Sequence, residues 1–329
     1  MASYAQARAF LDYYAPRLIE DYPRVVAVSI GRKEIAGERT GQGWCLRIHV
    51  ARKTKRRSSR SVPRTLPAPP GRKTLGTIET DVIETGETRL DVAVQPGESV
   101  RAGERGTVGC ALQDPHQQQY LLTAGHVIGR SLVVDATRNG WLDLGAPIPA
   151  HVRGATNPVG ISVKCSQPDP FVDLGLILMT AAETQASGQI RGARDVNKDR
   201  LKASETIRVV RNEGAMLTAY HQGADRDGKV SFPYPDPTGR GTVHPVFDNI
   251  LFYPRTGVNE RTGRPVKLKG GDSGSAVVDA NHRLLGIHIG SSYSDEPGAF
   301  LLGYAVPVAD IRKWAPDLCL MTAEGGQDL

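Results

Sequence analysis

The chain has 329 residues and a formal net charge of +6, with 36 Gly, 22 Pro and only 6% aromatic residues. Frequent Gly and Pro with few aromatics favour a turn-rich, strand-dominated fold over a helical bundle. No apolar run of about 18 residues occurs, so no membrane-spanning helix is predicted. The N-terminus lacks the basic start and apolar segment of a secretory signal, so none is expected.

The positive charge is concentrated in one segment. Residues 51–73 contain nine Lys or Arg and no acidic residue, and the rest of the chain has 32 basic and 35 acidic residues. The basic character therefore belongs to that segment and not to the whole protein.

The cysteines indicate a reducing compartment. Cys45, Cys110, Cys165 and Cys319 are widely spaced and include no Cys-x-x-Cys pair. Neither a disulfide framework nor a zinc site is implied, so we predict no metal, no other cofactor and a cytoplasmic location.

Residues 1–88 are predicted to form a small α+β domain. An apolar stripe predicts a helix over residues 3–21. Strands are predicted at Val25–Gly31, Trp44–Val50 and Thr77–Glu84, with a turn over residues 37–43. The basic segment 52–73 is rich in Ser and Pro, which predicts a mobile loop that packs in no core.

Residues 89–329 are predicted to form a second, mainly β domain. From about residue 100, short apolar runs alternate with Gly, Pro, Asn and Asp, as is typical of a β-sandwich or β-barrel. The runs are Gly106–Leu112, Tyr120–Thr123, Ser131–Asp135, Gly160–Val163, Val172–Met179, Ile207–Val210, Ala215–Tyr220, Ala276–Val278, Leu284–Ile289 and Leu301–Val308. Ile311, Trp314 and Leu318 predict a final helix within Val308–Leu320.

One stretch, Gly270–Ser275, has a composition that suits a nucleophile. Glycines surround the pair Asp272-Ser273, and an apolar run follows at once. A glycine-rich turn allows backbone N–H groups to converge on one point, where they stabilise an oxyanion. An ordinary loop can share this composition, so the motif needs partners.

Two further residues supply those partners. His126 follows an apolar strand and the small residues Thr123-Ala124-Gly125, and Asp173 is embedded in an apolar run. A buried acid is costly unless it is paired, and a histidine ring N–H is a suitable partner. The alternatives are a core histidine bonded to backbone and an aspartate that caps a strand end.

The ordered trio resembles the trypsin/chymotrypsin-like serine peptidases. Thr123–His126, Asp173 and Gly271–Gly274 occur in the order His, Asp, Ser, with gaps of 47 and 100 residues, over a match that covers about residues 100–320. The resemblance implies a double six-stranded antiparallel β-barrel. It also implies Ser273 as nucleophile, His126 as general base and then acid, and Asp173 as orienting carboxylate. The N–H groups of Gly271 and Ser273 would form the oxyanion hole for peptide hydrolysis through an acyl-enzyme.

A second likeness concerns specificity. Gly286–Gly290 is similar to the strand of staphylococcal-type glutamyl endopeptidases and viral 3C-like proteases whose histidine lines the S1 pocket and contacts a P1 Glu or Gln. Here the histidine is His288, and Lys267 stands at the pocket-floor position of the trypsin family, where trypsin has an aspartate. The resemblance implies an S1 pocket of Lys267, His288 and Gly290 with a preference for acidic or Gln P1 residues. A plain half-buried strand residue is the alternative for His288.

The chain departs from the secreted members of this family. Cys110 and Val127 stand where those members form a disulfide, and no second cysteine is there. No basic residue followed by Ile-Val-Gly-Gly occurs, so activation by a new N-terminus that pairs with Asp272 is not expected. Asp272 therefore needs another partner, for which we predict Lys269 or backbone amides.

The N-terminal strands resemble the leader of bacterial trypsin-like proteins related to the plant Narrow leaf 1 family. Such a leader would gate the active site, bind a regulatory partner or buttress the barrel. A protein or peptide substrate is expected, and association with a membrane is not.

The rival hypotheses are a catalytically silent binding protein with the same barrel, and nucleic-acid binding through residues 52–73. The second is disfavoured because no aromatic residue is interleaved for stacking. The same segment is alternatively a cleavage site for another protease.

Overall fold

The computed structural model describes residues 2–35, 38–52, 62–85, 87–89, 100–128, 131–133, 141–143, 147–152, 158–165, 172–180, 190–202, 204–211, 214–220, 226–235, 242–294, 301–322, 325–327 and 329. The helices within these ranges are α1 (Tyr4–Asp21), α2 (Gly125–Ile128) and α3 (Val308–Trp314), with a 3-10 turn at Lys73–Leu75. None of these helices is long and apolar enough to cross a membrane.

The strands fall into three stretches of the chain. Those of the N-terminal region are β1 (Val25–Ile35), β2 (Glu38–Val50), β3 (Thr65–Pro67), β4 (Thr77–Glu84) and β5 (Glu87–Arg89). The next group is β6 (Val100–Ala102), β7 (Glu104–Gly106), β8 (Cys110–Gln113), β9 (Gln119–Thr123), β10 (Ser131–Val133), β11 (Trp141–Asp143), β12 (Pro149–Val152), β13 (Gly160–Cys165), β14 (Gly175–Met179) and β15 (Gly192–Ala193). The last group is β16 (Thr206–Val210), β17 (Met216–Ala219), β18 (Arg226–Ser231), β19 (Tyr234–Pro235), β20 (Thr242–Val243), β21 (Val246–Pro254), β22 (Thr256–Asn259), β23 (Pro265–Lys267), β24 (Ala276–Asp279), β25 (Arg283–Tyr293), β26 (Leu302–Pro307), β27 (Cys319–Thr322) and β28 (Gly325–Gln327).

Two large sheets dominate the described part of the chain. The first has nine strands in the order β28-β27-β8-β9-β14-β13-β12-β6-β7. The second follows the order β23-β22-β17-β16-β24-β25-β26-β21-β18-β1-β2-β4-β3, with β5 and β15 also paired to β25. The predicted fold class, a mainly β double barrel with a small N-terminal α+β region, is confirmed.

The N-terminal region packs its own core and also extends the second sheet. Ser3 and Gln6 form a reciprocal capping box at the start of α1, which satisfies two backbone donors there. Phe10 and Leu11 of α1 are fully buried in this core. β1 then pairs with β18 in antiparallel register. The division of the chain at residue 88 stays a prediction.

Two N-terminal predictions were wrong. The turn expected over residues 37–43 is strand from Glu38 onward, because the β1–β2 hairpin continues its pairing to Ile35↔Glu38. In the segment expected to be a mobile loop, β3 pairs with β4 and buries Leu66 in the N-terminal core. Residues 53–61 of that segment lie outside the described residues.

The final helix is shorter than predicted. α3 ends at Trp314, with Ala315 as its C-terminal cap, because the following Pro316 disfavours helical backbone at the residue before it. Leu318 therefore lies outside the helix. Cys319–Thr322 instead forms β27, whose Leu320 pairs with Leu112 of the first sheet.

Candidate active site

Strand pairing places His126 and Asp173 side by side. β9 and β14 are antiparallel neighbours, and Thr123 at the end of β9 lies opposite Gly175 at the start of β14. His126 follows β9 by three residues and Asp173 precedes β14 by two. Because the end of one antiparallel strand lies beside the start of its neighbour, both residues lie at the same end of this strand pair.

Asp173 holds His126 at two points. The Nδ1 atom of His126 lies 2.6 Å from Oδ2 of Asp173, and the backbone N–H of His126 donates to Oδ1 at 2.9 Å. The Asp173 side chain is fully buried and that of His126 is 4% exposed. Since the carboxylate accepts from Nδ1–H, the tautomer with a free Nε2 lone pair is favoured.

The Gly270–Ser275 motif forms two consecutive type II turns. Asp272 N–H donates to Lys269 O at 3.1 Å, and Ser275 N–H donates to Asp272 O at 3.0 Å. The third residue of each turn is a glycine with positive φ, Gly271 at 91° and Gly274 at 92°. A type II turn requires positive φ at this position, which explains both glycines.

Gly274 is required by space as well as by conformation. A Cβ on Gly274 would lie 2.0 Å from the backbone oxygen of Thr107 and 2.2 Å from Oγ1 of Thr123. Its N–H donates to His288 O at 2.7 Å, so the turn is fixed to β25. The motif is thus closely packed on both sides.

Thr107, the residue after β7, holds the turn in place. Its N–H donates to Ser273 O at 2.7 Å, and its Oγ1 donates to Gly271 O, also at 2.7 Å. Thr123, just before the His126 motif, in turn donates through Oγ1 to Thr107 O at 2.9 Å. These bonds join the segment before His126 to the turn that contains Ser273. Sequence reasoning missed Thr107, because a single threonine in an apolar run carries no recognisable motif.

Asp272 is paired with an arginine that the sequence did not indicate. Arg211 Nε lies 2.9 Å from Oδ1 of Asp272, and both side chains are almost fully buried. The predicted partner Lys269 contributes its backbone N–H, which donates to Oδ2 at 2.8 Å. Burial raises the pKa of Asp272, while the charge and hydrogen bond of Arg211 and the amide of Lys269 act in the opposite direction.

Ser273 is fully buried, and its hydrogen bond to His126 is not formed. Within the described residues, His126 Nε2 is buried without a hydrogen-bond partner. The two segments are nevertheless adjacent, because a Cβ on Gly106 would contact both Ser273 O and the side chain of Val127. Hydrogen bonds of this kind are commonly long or absent without substrate and tighten when it binds.

The predicted specificity residues lie in different settings. His288 is fully buried on β25, and its Nδ1 lies 2.7 Å from the hydroxyl of Tyr253. Gly290 is buried on the same strand opposite Tyr304. Lys267 is exposed on β23, at the end of the second sheet.

Arg255 connects the Lys267 segment to β25. Its Nε donates to Leu268 O at 2.9 Å, and its Nη1 donates to Ser292 O at 2.6 Å. The residue is only 4% exposed. Within the described residues these bonds end on carbonyls and not on a carboxylate, which is unusual for a buried cation. Sequence reasoning missed Arg255, since one arginine between strands carries no signal.

The four cysteines form no disulfide with one another. Burial raises the pKa of Cys110 to about 12.

The nucleic-acid hypothesis depends on a basic segment whose centre, residues 53–61, lies outside the described residues, and it stays a prediction.

Solved protease structures are similar to this chain at low sequence identity. Nocardiopsis protease is 16% identical, with a TM-score of 0.42 over 68% of this chain and 96% of that chain. A glutamic-acid-specific serine protease that uses a histidine triad in substrate binding is 19% identical, with a TM-score of 0.41 over 67% and 96%. The HtrA-type protease AlgW with a decapeptide is 15% identical, with a TM-score of 0.32 over 63% and 48%. No protein-family model and no curated protein match the chain.

Proposed function

We propose that this protein is a serine endopeptidase. The observation that carries the proposal is the His126–Asp173 pair. Nδ1 of His126 lies 2.6 Å from Oδ2 of Asp173, its backbone N–H donates to Oδ1 at 2.9 Å, and its Nε2 is buried without a partner among the described residues. An orphaned buried nitrogen is costly in a purely structural role, whereas a general base requires it.

In this mechanism Nε2 of His126 accepts the hydroxyl proton of Ser273 as the oxygen attacks the peptide carbonyl. Asp173 stabilises the resulting imidazolium and keeps its ring oriented through Nδ1–H. His126 then donates the proton to the leaving amine, and water hydrolyses the acyl-enzyme by the same route in reverse. Because Asp173 is fully buried, its charge acts on the imidazole with little screening by solvent.

The oxyanion hole is proposed to consist of the N–H groups of Gly271 and Ser273. In a type II turn the central peptide is flipped relative to a type I turn, and the φ of 91° at Gly271 matches the flipped form. The N–H of Gly271 belongs to this central peptide. In the observed turn it therefore points to the opposite side from the one it would take in a type I turn. Such a donor typically supplies about 3–4 kcal/mol of barrier lowering.

We propose that P1 is acidic or Gln. The hydroxyl of Tyr253 lies 2.7 Å from Nδ1 of His288 and the two rings are in edge contact, which supports this because the imidazole is held in one orientation on β25. Arg255 supplies a buried cation to the same strand, because it bonds to the carbonyls of Leu268 and of Ser292 on β25. Lys267 and Gly290 are retained as proposed lining residues of S1.

Proteome-wide cleavage-site profiling of wild type against Ser273→Ala tests activity and specificity together. We expect sites that depend on Ser273 and end in Glu, Asp or Gln at P1. Sites that end in Arg or Lys would overturn the specificity while keeping the activity. Identical profiles for both proteins, with no added cleavage over a protein-free control, would favour the silent binding protein.

The cellular setting is also a proposal. We propose a cytoplasmic enzyme that acts on protein or peptide substrates, supported by the four cysteines that form no disulfide with one another. A regulatory partner at the N-terminal region and the likeness of that region to Narrow leaf 1-related proteins stay predictions.

A further inference from the structure

The short strand β5 lies beside the proposed active site. Its residues pair in antiparallel register with the end of β25, as Arg89↔Ser291, Thr88↔Ser292 and Glu87↔Tyr293. β5 belongs to the stretch that leaves the N-terminal sheet, since β4 ends at Glu84. The N-terminal region therefore contributes a strand to the catalytic half of the molecule.

The pairing of β25 shows which of its edges β5 occupies. β26 pairs with one edge over Gly286–Ser291, and β24 pairs with the opposite edge through Ala276↔Ile287. Because a strand has two edges and β26 already pairs with Ser291, β5 must occupy the edge that β24 uses further along.

The nucleophile turn lies between β24 and β5 on this edge. Gly274 N–H donates to His288 O at 2.7 Å, and His288 N–H donates to Ser275 O at 2.9 Å. Arg89 is opposite Ser291, three residues beyond His288, a distance of about 10 Å along a strand. As β5 proceeds from residue 87 to residue 89, its partners run from 293 back to 291, so the strand is directed toward the turn of Ser273.

An extended peptide substrate would bind along this same edge of β25. Peptides bind in extended form by adding a strand to an available sheet edge, where their backbone makes ladder hydrogen bonds. Beyond His288, which bonds the turn, this edge of β25 continues to residues 291–293, where β5 pairs with it and runs in the direction of the turn.

We propose that β5 is an autoinhibitory strand, which occupies the peptide-binding edge of β25 and must leave before an extended substrate can bind. This proposal rests on the proposed peptidase function. Thr85, just before β5, is fully buried and donates its N–H to Val50 O at 3.0 Å, so the position of β5 is tied to the N-terminal sheet. A change in that sheet would thus change access to Ser273.

The test is to remove the backbone donors of β5 while leaving the catalytic half untouched. Neighbouring residues of a strand direct their N–H groups to opposite sides, so either Thr88 or Arg89 donates toward β25. The double variant Thr88→Pro/Arg89→Pro therefore removes at least one possible ladder donor. The matched control, Thr88→Ala/Arg89→Ala, changes the same side chains but keeps both donors.

Two substrates separate this proposal from the function on which it rests. An extended peptide substrate needs the β25 edge, whereas a small serine-directed fluorophosphonate needs only Ser273 and the oxyanion donors. We expect the proline pair to raise kcat/KM for the peptide by about 10-fold to 100-fold, with an unchanged fluorophosphonate labelling rate and an intact mass that excludes clipping. The alanine pair should behave as wild type toward both reagents.

Each of the other outcomes would overturn the autoinhibitory strand. Equal peptide kcat/KM in wild type and the proline pair, with Ser273 labelled in both, would overturn the autoinhibitory strand and leave the peptidase intact. Equal activation by the alanine pair would show that side chains and not strand pairing are responsible, which also overturns it. Absence of Ser273 labelling in every variant would reject the peptidase, and the autoinhibition with it.

Discussion

The guanidinium of Arg211 lies 2.9 Å from the carboxylate of Asp272, the residue directly before the proposed nucleophile. Both side chains are buried, at 1% and 6% exposure, so the pair is poorly screened by water. The carboxylate also accepts a hydrogen bond from the backbone N–H of Lys269. The backbone N–H of Asp272 donates in turn to Lys269 O and closes the turn that contains Gly271. The ion pair and the two backbone bonds therefore support the type II form of this turn.

Arg211→Met is expected to disable the site and to destabilise the fold. Removing one member of a buried pair leaves an uncompensated charge and costs about 3–5 kcal/mol. We expect a loss of that order in the free energy of unfolding, measured by denaturant titration, and a fall in kcat for peptide hydrolysis of about 100-fold or more.

Arg208→Met is the matched control for this prediction. Arg208 lies on β16, three residues before Arg211, and pairs with the exposed Glu260. Exposed pairs contribute less than about 1 kcal/mol, so this variant should keep its activity. If both variants lose the same stability and activity, the role given to the buried pair is wrong.

Gly274→Ala is expected to abolish the turn that contains Ser273, the proposed nucleophile. The new Cβ would lie 2.0 Å from the backbone oxygen of Thr107, which cannot move without breaking its own hydrogen bond to Thr123. We expect a loss of more than about 3 kcal/mol in stability and no measurable hydrolysis. Gly263→Ala provides the comparison, because Gly263 also has positive φ but a Cβ added there would have nothing within 4 Å. That variant should lose only about 1–2 kcal/mol from backbone strain, and similar losses for the two would count against the packing argument.

Tyr253→Phe is expected to change specificity and leave the chemistry intact. It removes only the hydroxyl that lies 2.7 Å from His288 Nδ1, so the imidazole loses the contact that orients it. Peptides with Glu or Gln at P1 should lose about 10-fold to 100-fold in kcat/KM, while peptides with Ala at P1 should be unaffected. A uniform loss across all three P1 residues would show that His288 has no part in substrate selection.

The sequence was sufficient to predict the His126–Asp173 pair but not the residues that hold the Ser273 turn. His126 and Asp173 each flank an apolar strand, so pairing of those strands brings them together without further information. Arg211 is 61 residues from Asp272, and nothing local distinguishes it from the many other arginines. β5 reads Glu-Thr-Arg, which has no apolar alternation, and its pairing is decided by the strand it meets.

Cys110 is expected to be inert toward alkylation in the folded protein. Its pKa is raised by burial from an ordinary value of 9.0 to about 12, so the thiolate is nearly absent at pH 9. Iodoacetamide at pH 9 should label the partly exposed Cys319 and spare Cys110, as mapped by peptide mass spectrometry. The unfolded thiol ionises near pH 9 and the folded one does not, so this group's contribution to stability falls as the pH rises from about 9 toward 12. Rapid native labelling of Cys110 would contradict this burial.

The most direct test of the proposed mechanism is whether Ser273 is a reactive nucleophile. Wild-type protein treated with a fluorophosphonate should carry one covalent adduct, located on Ser273 by peptide mass spectrometry. Ser275→Ala, which alters a buried serine two residues away, should be labelled in the same way, and Ser273→Ala should not. An adduct on another residue, or equal labelling of Ser273→Ala, would contradict the assignment of Ser273 and the catalytic mechanism built on it.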